Sequence, residues 1–462
     1  TTGPLAILDV RPRPGPPREY RFPAFERVRI ANGLTVITAH LPGRPLLNAQ
    51  LVFPGGAAIE PRDRAGVTVL TARGMTEGTA RRDAIELIEA TERLGADLEA
   101  EAGWESLVAG ISVPRSRFAA ALALLAEVVL EPGFPESEVD RLRDERVNDL
   151  MQARADPRRR IERVFPEIIY DAATPYSRPL AGTEMTVPEL GRAEVIATHA
   201  RLADPSGATF VLAGDLTGLD VPRLVEAAFD AWQPAASSDQ SYPTNANLAG
   251  PRVVVVDRPG SPQSEVRIGH VGIPRSTPDF HAVSVLNTIL GGQFSSRLNQ
   301  LLREDRGYTY GVHSSFDMRR GPGPFVIRMA VETDVTAAAV GDALGELDRI
   351  REAPVQPHEL ERARDYLVGV FPLRFEAAPQ VATAIAGLVV HDLPDDELDR
   401  YRPAIAAVGA DEVLAAARAH IRPDEASIVI VGDAARFADA LGGLGRGDVT
   451  VLRDDPAPDP AA

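Results

Sequence analysis

Cysteine and lysine are both missing from this 462-residue chain. Without cysteine there is no disulfide, no thiolate metal ligand and no cysteine nucleophile. All 49 basic side chains are arginine, so Schiff-base lysines and the phosphate-binding lysine of a P-loop are excluded as well. No apolar run approaches the roughly 20 residues that a membrane-spanning helix needs. Positive charge is also short. The formal net charge of −17 argues against a nucleic-acid partner, which requires a concentrated basic face. An acidic surface of this kind keeps a protein soluble, or favours basic substrates. The first residues carry no recognisable secretory signal, which predicts a cytoplasmic protein. The chain opens on Thr1, however, and a removed leader would make it periplasmic or secreted. What is present, 44% apolar and 25% charged residues, is the composition of a soluble globular protein. The length is too great for one ordinary hydrophobic core and predicts two to four domains.

An internal repeat organises the chain. EVDRLRD at 138–144 matches ELERARD at 359–365, FVLAGD at 210–215 matches IVIVGD at 428–433, and VTVL at 67–70 matches VSVL at 283–286. The three matches occur in the same order at nearly constant offset, which implies a tandem duplication of a unit of about 220 residues. The unperiodic, polar stretch 235–250 reads as the linker between a first unit at 18–234 and a second at 251–450. A Pro-rich lead-in (11–17) and an Asp/Pro/Ala tail (453–462) have the composition of disordered ends.

Within the first unit, 34–39 and 47–53 are strand-like and joined by a Pro/Gly turn. Helical patterns follow at 65–75, 83–94, 115–130 and 136–154, then a strand at 207–213 and a helix at 219–232. Segregated strands and helices predict an α+β fold: two tandem homologous units, each an antiparallel-rich sheet with helices on one face. Two such units hinged by a linker would form a clam-like body.

The eight histidines stand at 40, 199, 270, 281, 313, 358, 391 and 420, and no two are three to five residues apart. No helix or strand therefore presents two imidazoles to one metal. His199 and His420 occupy matching places in the two units, which marks them as structural. His358 sits at a predicted helix start, in an exposed first turn. There is no Gly-x-Ser-x-Gly elbow, and the Gly-rich run at 443–447 follows no strand.

The stretch GGQFSSRLNQLLREDRGYTYGV at 291–312 resembles the second-half signature of the inverzincin peptidases related to pitrilysin, insulin-degrading enzyme and mitochondrial processing peptidase. GGA at 55–57 and the Gly-Asp strand ends of both units extend the likeness over nearly the whole chain. Active members carry H-x-x-E-H in the first unit, two imidazole ligands and a glutamate base on one helical face. The corresponding stretch here is GVTVLTARGMTEGT at 66–79, which keeps the flanking glycines but has Val69, Ala72 and Arg73 at the three chemical positions. The third ligand of the family would fall near 145–149, where Glu145 and Asp149 are the acids available.

The resemblance therefore implies a chain with no catalytic residue for hydrolysis and no metal or cofactor of its own. What it retains is Arg303 and Tyr310, which in the family contact substrate opposite the zinc. With 295–303 read as a helix, Gly307 as its C-cap and 308–315 as a strand, a tyrosine hydroxyl is placed to donate to an oxyanion and an arginine to bind a peptide carbonyl. Tyr308, two residues before Tyr310 on that strand, is expected to line the same wall. The implied function is that of a non-catalytic subunit of a heterodimeric zinc peptidase. Its partner would be a homologous H-x-x-E-H subunit carrying the zinc, and its substrate an extended peptide added to a sheet edge. A scaffold protein, or a peptide-binding module without a catalytic role, is the alternative.

Overall fold

A computed structural model describes residues 15, 18–234, 242 and 250–453. The lead-in, the linker and the acidic tail lie outside these residues, apart from Gly15, Tyr242, Gly250 and Arg453. Two six-stranded sheets carry the chain. The first contains β1 (Phe25–Arg29), β2 (Thr35–His40), β3 (Leu46–Pro54), β4 (Asp97–Ala102), β5 (Ser106–Pro114) and β6 (Thr209–Gly214), in the order β1-β2-β6-β3-β5-β4. The second contains β7 (Val253–Asp257), β8 (Gln263–Val271), β9 (Val312–Phe316), β10 (Pro324–Glu332), β11 (Ser427–Gly432) and β12 (Val449–Arg453), in the order β12-β7-β11-β8-β10-β9. Helices fill the intervals, so the architecture is mixed α+β.

The repeated segments fall on equivalent elements. FVLAGD and IVIVGD form β6 and β11, each in the third place of its sheet. VTVL and VSVL lie in helices Val67–Met75 and Phe280–Asn287, and the two Arg-rich matches lie in helices Glu136–Ala155 and Pro357–Val370. The outermost strand breaks the symmetry. β1 enters from the N-terminal side and pairs antiparallel with β2, whereas β12 comes from the C-terminal side and pairs parallel with β7.

β6 and β11 are buried at every position, the burial expected of a strand covered on both faces. Alternate side chains of β6 go to different cores. Phe210 and Leu212 face the helices of their own half, while Val211 and Ala213 pack against Val381, Ala382 and Ile385. These last three belong to helix Ala378–Val390, from the second half. The exchange is reciprocal: Ile428 and Ile430 of β11 face their own helices, while Val429 and Val431 pack on Ile161, Val164 and Phe165. Those residues lie in helix Pro157–Ile169 of the first half. Each half thus covers the second face of the other's sheet, in addition to the helices on its own.

A second contact locks this arrangement. Arg319 of the second half lies over Trp104 and Tyr176 of the first, at 4.4 and 4.7 Å from the ring centres. Tyr176 Oη donates to Glu105 Oε1 at 2.7 Å and accepts from Gly321 N at 3.2 Å. Beyond the linker expected between the two units, apolar burial and these cation–π contacts join them directly.

The expected turn between β2 and β3 exists, but the two strands do not pair. β6 lies between them, parallel to β2 and antiparallel to β3.

Candidate functional site

Val69, Ala72 and Arg73 lie on helix Val67–Met75, where spacings of three and four residues put them on one face. Ala72 is fully buried and Arg73 is exposed. Val69 and Arg73 border a recess of about 20 Å³, closed by Leu142 and Arg146 from helix Glu136–Ala155. Arg73 Nη2 donates to Glu145 Oε2 at 3.0 Å, while Arg141 Nη1 reaches the other carboxylate oxygen at 2.6 Å. Arg141 also binds Glu77 at 2.6 Å and Glu138 at 2.7 Å. Hydrogen bonds from Arg141, and next from Arg73, hold the Glu145 carboxyl below the usual carboxylate range. Asp149 is taken up by Arg146 and by Arg159 at 2.5 Å. Burial raises its carboxyl, but these guanidinium groups outweigh burial and the net shift is downward.

This donor set does not fit a zinc ion. An aliphatic side chain, a methyl and a guanidinium offer it no lone pair, and the nearby carboxylates are bound to arginines. Among the described residues no three His, Cys, Asp or Glu side chains form a metal-binding group.

The second-half residues have a different setting. Arg303 lies on Asn299–Asp305, a segment wound as a π-helix, a form that recurs at functional sites. Gly307 follows with φ of +66°, the left-handed cap expected after a helix. The strand then begins at Val312, not at Tyr308. Thr309 accounts for the delay. Its hydroxyl donates to the Gly311 carbonyl at 2.9 Å and accepts from Gly311 N at 3.2 Å, and this local pairing holds 309–311 out of the ladder. Tyr308 and Tyr310 consequently do not share a strand face. Tyr308 packs against the second core, whereas Tyr310 is 93% exposed.

Arg303 and Tyr310 line one groove of about 970 Å³, within the range of ligand clefts. Its floor includes β8 and β10, one wall is the 291–294 and 303–313 segments, and helices Pro157–Ile169 and Pro357–Val370 contribute Arg158 and Tyr366. The Arg303 guanidinium lies over the Phe294 ring at 4.2 Å. The position of the wall depends on Arg297 in the same signature, which donates to both carboxylate oxygens of Glu359 at 2.7 and 2.8 Å. That bidentate pair ties the signature segment to the helix that carries Tyr366.

β9 is the edge of the second sheet, and Asn299 controls its entry. The Asn299 amide accepts from Val312 N at 3.1 Å and donates to Val312 O at 2.8 Å, so one side chain satisfies both outward backbone groups. Gly291 sits so close that a Cβ there would lie 2.7 Å from Ser314 N. Burial pushes the His313 imidazole, on the same strand, below its ordinary value, with the Arg328 charge as the next cause.

Sequence reasoning did not single out Arg158, Phe294, Asn299 or Tyr366. Phe294 and Asn299 lie inside the signature and could have been weighed there; Arg158 and Tyr366 come from remote helices and carry no local signal. His199 and His420, expected to be structural, each bond to another element of their own half. His199 Nε2 is 3.0 Å from the Val129 carbonyl, and His420 Nε2 is 2.6 Å from Asp279 Oδ2, each at the same stage of its repeat.

Comparison with known proteins places the chain in a family. The family model described as insulinase (peptidase family M16) matches residues 35–184, and that described as the peptidase M16 inactive domain matches residues 189–367. An uncharacterized zinc protease of Mycobacterium leprae is 26% identical over 336 residues, covering 70% of this chain and 75% of that protein. The non-peptidase homolog YmxG of Helicobacter pylori is 20% identical over 338 residues, covering 72% and 76%. The crystal structure of a peptidase M16 inactive domain from Pseudomonas fluorescens superposes with a TM-score of 0.81 at 25% identity, covering 88% of this chain and 98% of that one. The chain belongs to the M16 peptidase family, as a member of its non-catalytic kind.

Proposed function

We propose that this protein is the non-catalytic subunit of a two-subunit zinc peptidase, presenting its groove to a peptide that a homologous H-x-x-E-H partner cleaves. One observation carries the reading. Among the described residues the exposed aromatic side chains are Phe294, Tyr310 and Tyr366, and all three line the groove that also contains Arg303. Exposed rings gathered in one concave site mark a surface made for a ligand.

The chemistry follows from the groups present. Arg303 binds a backbone carbonyl of an extended peptide. The Tyr310 hydroxyl, free of packing, donates to the carbonyl oxygen as negative charge develops there during hydrolysis. Zinc on the partner supplies the activated water. In this chain Val69, Ala72 and Arg73 stand where the family's ligands and base would be, and Arg73 occupies the space with a charge of the metal's own sign.

The test is to mix the full-length chain with its H-x-x-E-H homologue. A stable dimer should form and cleave a peptide well above the rate of either chain alone. A homologue that is fully active by itself and never co-elutes with this chain overturns the reading.

A further inference from the structure

We propose that the groove selects a peptide carboxylate, held by Arg158 together with Arg303. This rests on the reading of the groove as a peptide site and adds the chemical class of what it takes.

Charge bookkeeping inside the groove gives the first reason. On a chain of net charge −17, the lining holds four arginines against two glutamates. Both glutamates are committed to the buried Arg267, Glu162 at 2.8 Å and Glu265 at 3.1 Å. Arg328 is satisfied by Ser315 Oγ at 2.7 Å and reaches Glu162 at 3.4 Å. That leaves two cations. Among the described residues Arg303 has the Phe294 ring and one ion pair, to its chain neighbour Glu304 at 3.4 Å, and Arg158 has no ion pair or hydrogen bond.

The placement of Arg158 is the second reason. It stands in the first turn of helix Pro157–Ile169, where the positive end of the helix disfavours a cation. Its neighbour Arg159 is compensated by Asp149; Arg158 is not. The helix lies across the second sheet because of the exchange between halves, and that crossing brings its first turn to the groove. A carboxylate there relieves the repulsion, gains charge-assisted hydrogen bonds and leaves Phe294 and Tyr366 to pack on the chain around it. Either an acidic side chain or a peptide C-terminus supplies this group.

The probes are fluorescein-labelled unstructured peptides, identical except for a central Glu-Glu, Gln-Gln or Arg-Arg pair and amidated at the C-terminus, with one further Gln-Gln peptide left as the free acid. Anisotropy titration with the full-length chain should show Glu-Glu binding about fivefold tighter than amidated Gln-Gln, the gain of one or two partly exposed charged pairs. The gap should close in Arg158→Gln and shrink as salt rises. Free-acid Gln-Gln matching Glu-Glu supports the proposal in its C-terminal form. If Glu-Glu and Gln-Gln bind alike, and Tyr310→Ala weakens both, the preference for a carboxylate is wrong and the peptide groove stands. Tightest binding of Arg-Arg likewise overturns the carboxylate preference alone. If no peptide binds, the reading of the groove falls with it.

Discussion

Arg73 and Glu145 meet at 3.0 Å across 72 residues of sequence, joining helix Val67–Met75 to helix Glu136–Ala155. Both side chains are nearly half exposed, and Glu145 keeps Arg141 as a second partner. Solvent screening makes such pairs weak. Arg73→Ala should therefore change the unfolding free energy by no more than about 1 kcal/mol in urea titration. A loss several times larger would show that Arg73 holds the two helices together.

Tyr310 should behave oppositely to a packing residue. With 93% of its surface exposed, Tyr310→Phe should leave the melting temperature unchanged. In the assembled peptidase kcat should fall by a factor on the order of 10–1,000, with KM little altered, because the hydroxyl acts on charge that develops in the transition state. Arg303→Ala removes a contact common to substrate and transition state, and should mainly raise KM. An intact kcat for Tyr310→Phe in a dimer that still forms would favour the scaffold alternative.

The β9 edge offers a stability test close to the groove. Asn299→Ala leaves the Val312 N–H and C=O without their partner in a buried place, at a cost of about 1–3 kcal/mol. Gly291→Ala should cost a similar amount, about 1–3 kcal/mol, by forcing a methyl toward the Ser314 backbone. Urea denaturation of each variant measures the loss. Wild-type stability for Asn299→Ala would mean that water replaces the amide and the edge is open.

Stability should also depend on His270. Arg422 N donates to its Nε2 at 3.1 Å, and Nδ1 lies 2.8 Å from the Val271 carbonyl, an arrangement suited to the neutral ring. Burial pushes its pKa down to about 4. The unfolded chain takes up a proton near pH 6.5 and the folded chain does not, so this contribution is complete above pH 6.5 and is lost as pH falls toward 4. On the order of 3 kcal/mol is at stake. Equilibrium unfolding across that range should show the decline, with a shallower slope in His270→Gln. Equal slopes in the two proteins would assign the acid sensitivity elsewhere.

Local pattern was sufficient for much of this molecule. Apolar periodicity locates helices Val67–Met75, Ala84–Arg93, Phe118–Leu130 and Glu136–Ala155 to within a few residues, and the repeat marks β6 and β11 as equivalent strands. The Arg303 and Tyr310 positions were legible because the signature around them is contiguous. The sequence pattern does not place β4 or β5. In β4 the residues at the more exposed positions are acidic and the rest largely alanine, so its alternation carries little apolar contrast.

By itself the sequence determined the duplication, part of the first half's helix-and-strand inventory, the absence of imidazole pairs and the signature that carries Arg303 and Tyr310, because each of these is a property of neighbours along the chain. Only the tertiary structure decided which elements meet. Periodicity shows that a strand such as β6 is buried on two faces, but the partner on each face is chosen by packing over long sequence separations. That choice inserted β6 between β2 and β3, and exchanged helices Pro157–Ile169 and Ala378–Val390 between the halves. It also brought Arg158 of one half and Tyr366 of the other to the groove that holds Tyr310.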